Sequence, residues 1–198
     1  MLAAMPQIVR ADEPAPDKTA PDETVRLHAE VDPLPFVRGG YGGQLGVRPL
    51  RLANGRLRFA LASFALDVPD FAVQLGGNDG FHIRVRPSAA LYVLYYLSSS
   101  RNGFAVGGSL RYLRLRTTHD DVFGAHDDTS ELSPEAIVAY KWHPTRYGFY
   151  VQPWFGLSAT LWRSHDAKVG DSAVGDRTYD PLPVQAFFTV NLGWELVR

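Results

Sequence analysis

The feature that most constrains this chain is a two-residue alternation of apolar with polar or small residues, sustained over whole segments. Val184, Ala186, Phe188, Val190, Leu192, Trp194 and Leu196 share one parity, against Gln185, Thr189, Asn191, Gly193 and Glu195. Phe149, Val151, Phe155, Leu157, Ala159 and Leu161 do the same against Tyr150, Gln152, Trp154, Ser158 and Thr160. A period of two is that of a strand with two different faces, and no helix sits on such a pattern. The chain is therefore expected to be all-β.

Eight such segments follow one another in hairpin order. The first runs from Val25 and is stopped by Pro33 and Pro35. The second carries Tyr41, Leu45 and Val47, and Asn54-Gly55 turns it into the third, Arg56 to Leu66. Asn-Gly is a strong hairpin signal. The fourth, Phe81 to Leu97, is expected to put His82, Arg84, Arg86 and Ser88 on one face, opposite Phe81, Ile83, Val85 and Leu91. The fifth is Phe104 to His119, and Arg114 and Arg116 there take over the apolar parity of Val106, Leu110 and Tyr112. A bulge near Leu113, or a strand that has left the membrane, would each explain that. The sixth carries Leu132, Ala136, Val138, Tyr140 and Trp142 opposite Glu135, Ala139 and Lys141, after an acidic stretch, Asp120 to Ser130, read as a loop.

Links near Asn54, Ser99 and Pro144 are short, and those near Pro35, Asp79, Asp120 and Asp171 are longer. An even strand count with short turns at one end and long loops at the other is the asymmetry of outer-membrane barrels. Alternation alone does not say which face is outside. Two observations favour apolar-out: the uninterrupted apolar faces of strands four, seven and eight, and the aromatic residues beside the short turns. Tyr95, Tyr140, Trp142, Phe149 and Trp194 are expected to form one interfacial girdle. Phe36, Tyr41, Phe64, Phe81 and Trp162 are candidates for a second.

The polar face then lines a lumen. Arg26, Glu30, Arg48, Arg84, Arg86, Arg111, Glu135, Lys141 and Glu195 are expected to form a charge-paired network there, because buried charges need partners. Eight strands leave an interior just wide enough for side chains to fill, so no open pore is expected.

Composition sets the remaining bounds. Among 198 residues there is no cysteine, which excludes disulfides, thiol catalysis and thiolate metal sites. The net charge of −1 carries no global field for nucleic acid. A mean hydropathy of −0.14 would pass for a soluble protein, yet alternating strands average to near neutral. Residues 1–24 are expected to be a disordered segment: Val9-Arg10-Ala11 reads as the remnant of a secretory leader or as a polar tail, and Asp12 to Thr24 has no apolar period. The barrel is assigned to 25–198.

The closing run Phe187 to Leu196 and the eight hairpin strands resemble small outer-membrane barrels of the OmpA, OmpX and OmpW type, over roughly Val25 to Leu196. The run differs in that Val197-Arg198 follow it. The resemblance implies a Gram-negative outer-membrane location, contact with outer-membrane lipid and lipopolysaccharide, and handling by the barrel-assembly machinery. It implies neither cofactor nor metal, and no activity.

Three readings stay open. The first is a non-enzymatic structural or surface-interaction barrel. The second is a lipid A-modifying hydrolase or acyltransferase, for which Ser164-His165-Asp166 and His119-Asp120-Asp121 are the candidates. Neighbours on a strand point to opposite faces, which argues against an adjacent Ser-His pair. The third is a narrow channel or a ligand-binding barrel. His119, Asp120, Asp121, His126, Asp127 and Asp128 have metal-ligating chemistry, but their spacing matches no known structural site, and a solvated acidic loop is the simpler reading.

Overall fold

The computed structural model describes residues 25–98, 100–170 and 177–197. The expectations for 1–24 lie outside the described residues.

Eight long antiparallel strands make up the wall: β1 (Val25–Val31), β2 (Tyr41–Pro49), β3 (Leu57–Asp67), β4 (Phe81–Tyr96), β5 (Gly103–His119), β6 (Val122–Lys141), β7 (Phe149–Ala159) and β8 (Val184–Val197). Each pairs with the next. β1 closes on β8 with Leu27 opposite Leu196 and Val31 opposite Leu192, so the sheet has no free edge. Between β1 and β2 lies helix α1 (Leu34–Val37), and between β3 and β4 lies α2 (Asp70–Gln74).

Where a Cβ would collide with a neighbouring strand the sequence supplies glycine. A Cβ on Gly107 of β5 would stand 2.0 Å from the Val93 carbonyl oxygen of β4. A Cβ on Gly46 of β2 would stand 2.8 Å from Arg58 Nε.

The wall has two zones of opposite polarity. In the lower zone, toward the short turns, Leu45, Leu61, Leu91, Val138, Phe155, Leu157 and Phe188 point outward and are exposed, while Arg58, Gln152 and Lys141 point inward and are buried. Beyond Tyr112 the sense reverses. Phe81, Ile83, Val85, Leu113, Leu115 and Val122 are buried inside, joined by Val73 of α2 and by Val169. His82, Arg84 and Arg114 face out. The lower zone has the surface a bilayer requires, and the upper zone has the surface and core of a protein in water.

In β4 a β-bulge makes the reversal. Arg86 pairs with Arg114 and Ala89 with Tyr112, so Pro87 and Ser88 together oppose Leu113. The β3 side agrees: Phe64 pairs with Ser88, and Leu66 with Val85. One extra residue moves every later side chain to the other face. Pro87 has no N–H for the ladder, and the Ser88 hydroxyl accepts the Arg114 N–H instead (3.0 Å).

This corrects several expectations. Arg84 and Arg86 lie on the outer wall, not in the lumen, because the bulge separates them from Ala90 and Tyr92. Phe81 is buried in the upper core, not in a girdle, and Phe64 packs against that same core. Of the two readings of β5, the strand beyond the apolar band holds and a bulge near Leu113 does not: one parity continues, and Arg114 and Arg116 face outward like Leu110 and Tyr112. The acidic stretch is no long loop: His119 pairs with Val122 around a tight turn, and β6 runs alongside β5 from there.

Candidate functional site

Three glutamates organise the lower lumen. Glu30 of β1 accepts hydrogen bonds from Arg58 NH1, Gln44 Nε2 and the Tyr150 hydroxyl. The side chains of Arg58 and Glu30 are both 0% exposed, and Arg58 also reaches Gln152 Oε1 at 3.4 Å. Near the short turns Glu195 takes Lys141 Nζ at 2.7 Å and Arg26 NH1 at 3.0 Å. Toward the loops Glu135 faces Arg111 Nε at 2.9 Å and accepts the Ser109 hydroxyl. Every one of these carboxylates thus has a cation beside it and further donors, which is what a carboxylate removed from water requires.

Aromatic rings fill the gaps. Arg48, whose Nε donates to the Gly55 carbonyl, lies 4.9 Å over the Tyr96 ring. Lys141 Nζ lies 4.3 Å over Tyr150. Trp154 meets Tyr92 edge-on at 5.1 Å.

Of the nine residues expected in the lumen network, Arg26, Glu30, Arg48, Arg111, Glu135, Lys141 and Glu195 face the lumen. Arg84 instead pairs with Asp67 (3.4 Å) and Arg86 with Asp128 (3.1 Å), both on the outside. Sequence reading missed Arg58, the largest fully buried side chain. Its parity with the small residues Ala60 and Ala62 was the available signal.

Tyr95, Tyr140, Trp142, Phe149 and Trp194 stand on the outer wall at the turn end. Phe149 packs on Trp194 with centroids 5.1 Å apart, and Tyr140 on Phe104 at 4.9 Å.

The acidic residues of the loop-end rim are engaged by basic side chains. Asp128 accepts two bonds from Arg116, each 2.8 Å, which hold its pKa down at about 2. His82 bridges Asp120 (2.8 Å) and Asp70 (3.0 Å), and those hydrogen bonds raise its pKa above the ordinary imidazole value. Asp121 lies 3.4 Å from Arg177. No group of three metal-ligating side chains forms among the described residues.

The adjacent Ser-His pair behaves differently from expectation. The segment after β7 runs beside β6, with Trp162 opposite Leu132. It leaves the strand at Ser164, so the two side chains are not held on opposite faces. Ser164 Oγ lies 3.1 Å from His165 Nδ1, and His165 Nε2 lies 3.1 Å from Asp127, not Asp166. Ser164 Oγ also accepts the Ser130 N–H (3.0 Å), and Asp127 accepts the Lys168 N–H (2.8 Å).

No known family model matches the chain, and no curated protein matches it. Among solved structures, a major outer membrane protein from Thermus thermophilus matches with a TM-score of 0.51 at 15% identity, over 87% of this chain and 98% of that one. Neisserial surface protein A matches with a TM-score of 0.46 at 12% identity, over 87% of this chain and 94% of that one. The first likeness is one of architecture, and it agrees with the closed wall and its apolar band. The chain has the fold of a small eight-stranded outer-membrane β-barrel.

Proposed function

We propose that the protein is an integral outer-membrane barrel with a structural or surface-interaction role, not an enzyme, and that its lumen is filled and does not conduct. The observation that carries this reading is the Arg58–Glu30 pair, wholly shielded from solvent inside the barrel, with Gln44, Tyr150 and Gln152 around it. A water-filled channel would expose these groups. The apolar lower wall supports a place among outer-membrane lipid and lipopolysaccharide, reached through the barrel-assembly machinery. The test is twofold. The refolded protein is expected to run compact on SDS gels when unheated and extended when boiled, and to give no conductance steps in planar bilayers. Fractionation without detergent as a soluble protein would overturn the membrane assignment, and sustained conductance would overturn the closed lumen.

The Ser164–His165–Asp127 relay favours a second reading, an ester hydrolase working at the membrane surface. The same bonds also tie residues 164–168 to β6, which suffices to explain them. Ser164→Ala separates the two: loss of a measurable activity on lipid A supports hydrolysis, and an unchanged lipid profile in cells with and without the protein leaves a tether.

A further inference from the structure

Two grooves on the outer wall lie apart from the rim tether. The first, of about 600 Å³, lies in the apolar zone. Ala29, Gly43, Ser63 and Ala89 line it with Leu45 and Leu61, and the inward-facing positions Glu30, Gln44 and Ala62 border it between them. Gly43 pairs with Ser63, and Ser63 with Ala89, so small side chains run across three strands where neighbouring positions carry leucine. Ala89 pairs with Tyr112, which places one end of the groove at the edge of the apolar band.

The second groove, of about 580 Å³, is charged and lies beyond that edge. Arg38, Asp67, Asp70, His82, Arg84 and Arg116 line it. Along β3, Asp67 is four residues from Ser63, about 13 Å at 3.3 Å per residue. Beside it the bulge brings four arginines together: Arg84 is directly opposite Arg116, and Arg86 directly opposite Arg114. Facing like charges destabilise a strand pair unless anions intervene. Asp128 serves Arg86 and Arg116, and Asp67 serves Arg84. The Arg114 side chain has no ion pair among the described residues. Asp70 and Asp120 are engaged by His82. Four guanidinium groups therefore share two carboxylates, just outside an apolar groove.

We propose that this face holds one phosphorylated, multiply acylated glycolipid of the outer leaflet. An acyl chain lies in the groove along Gly43, Ser63 and Ala89, and a phosphate meets Arg84, Arg86 and Arg114. The inference rests on the outer-membrane reading above and assigns that reading a specific lipid contact. Guanidinium recognises phosphate through paired N–H donors, and outward arginines at this height meet headgroups.

The test uses the full chain refolded in detergent, with lipid A as the probe. Binding is followed by native mass spectrometry against the same lipid stripped of both phosphates and against inorganic phosphate. Wild type is expected to prefer phosphorylated lipid A by about tenfold or more, the scale of one or two charge-assisted hydrogen bonds. Arg86→Gln/Arg114→Gln should erase that preference and leave binding of the stripped lipid unchanged. Ala89→Leu, which fills the groove, should weaken both lipids. Equal binding of the two lipids by wild type, an unaltered preference in the arginine variant, or equal competition by inorganic phosphate would overturn the site. Migration on unheated SDS gels keeps the two readings apart. A compact protein that fails these assays refutes the lipid site alone, and a protein that never becomes compact refutes the membrane reading.

Discussion

Replacing Arg58 by methionine tests whether the lumen is dry around the Arg58–Glu30 pair. Both side chains of the Arg58–Glu30 pair are fully shielded, so Arg58→Met leaves a carboxylate whose remaining donors, Gln44 and Tyr150, are neutral. Removing one member of a buried pair costs about 3–5 kcal/mol, because the desolvated charge stays behind. The double variant Glu30→Gln/Arg58→Met removes both charges and keeps an acceptor for Tyr150. It is expected to recover most of the loss, giving a coupling energy of about 2 kcal/mol or more. The assay is urea unfolding in phospholipid vesicles, followed by the fluorescence of the four tryptophans, none of which is altered. A single variant within about 1 kcal/mol of wild type would refute the reasoning, since only water reaching Glu30 could solvate the orphaned carboxylate so cheaply.

Two further outcomes follow from the loop end. His82 is held by Asp120 and Asp70, which raise its pKa above the reference value of 6.5. Its contribution to stability is therefore full below about pH 6.5, the unfolded value, and is lost as pH rises through the higher folded value. The unfolding midpoint of wild type should exceed that of His82→Gln at pH 5.5 and converge with it at alkaline pH, and parallel curves would refute the bridge. Deleting Pro87 removes the extra residue of the bulge. Arg84 and Arg86 would then turn toward Leu113 and Leu115, at several kcal/mol for each unpaired charge, and Phe81, Ile83 and Val85 would turn toward water. The deletion is expected to abolish the compact form on unheated SDS gels, whereas Pro87→Ala, with the same residue count, should retain it. A deletion variant that refolds like wild type would show that the bulge does not set the polarity reversal.

How far the sequence discloses this architecture depends on whether one parity holds along a strand. In β7 and β8 it does, and the apolar face read from Phe155, Leu157 and Phe188 is the outer wall. In β4 both parities carry apolar residues, and hydropathy alone cannot tell a continuous strand from one that switches faces at mid-length. Pro87 was the clue, because a proline inside a paired strand marks a bulge. The consequence is large: one residue converts two expected lumen arginines into an outer cationic cluster, and one expected membrane aromatic, Phe81, into the core of a water-exposed cap. The start of β6 is illegible for a different reason. Aspartates at 120, 121, 127 and 128 disfavour strand on average, yet a hairpin standing in water pairs through its backbone and tolerates polar residues on its outer face. Arg58 was hidden by position, directly after a turn where charged residues are ordinarily solvated. Its partner strand held the complementary signal, since Gly46 is small where a side chain would collide with the guanidinium. The lumen charges were thus legible wherever strand parity was intact. Their partners were not, because the sequence gives the face of a residue, and only the register across strands decides which opposite charges meet.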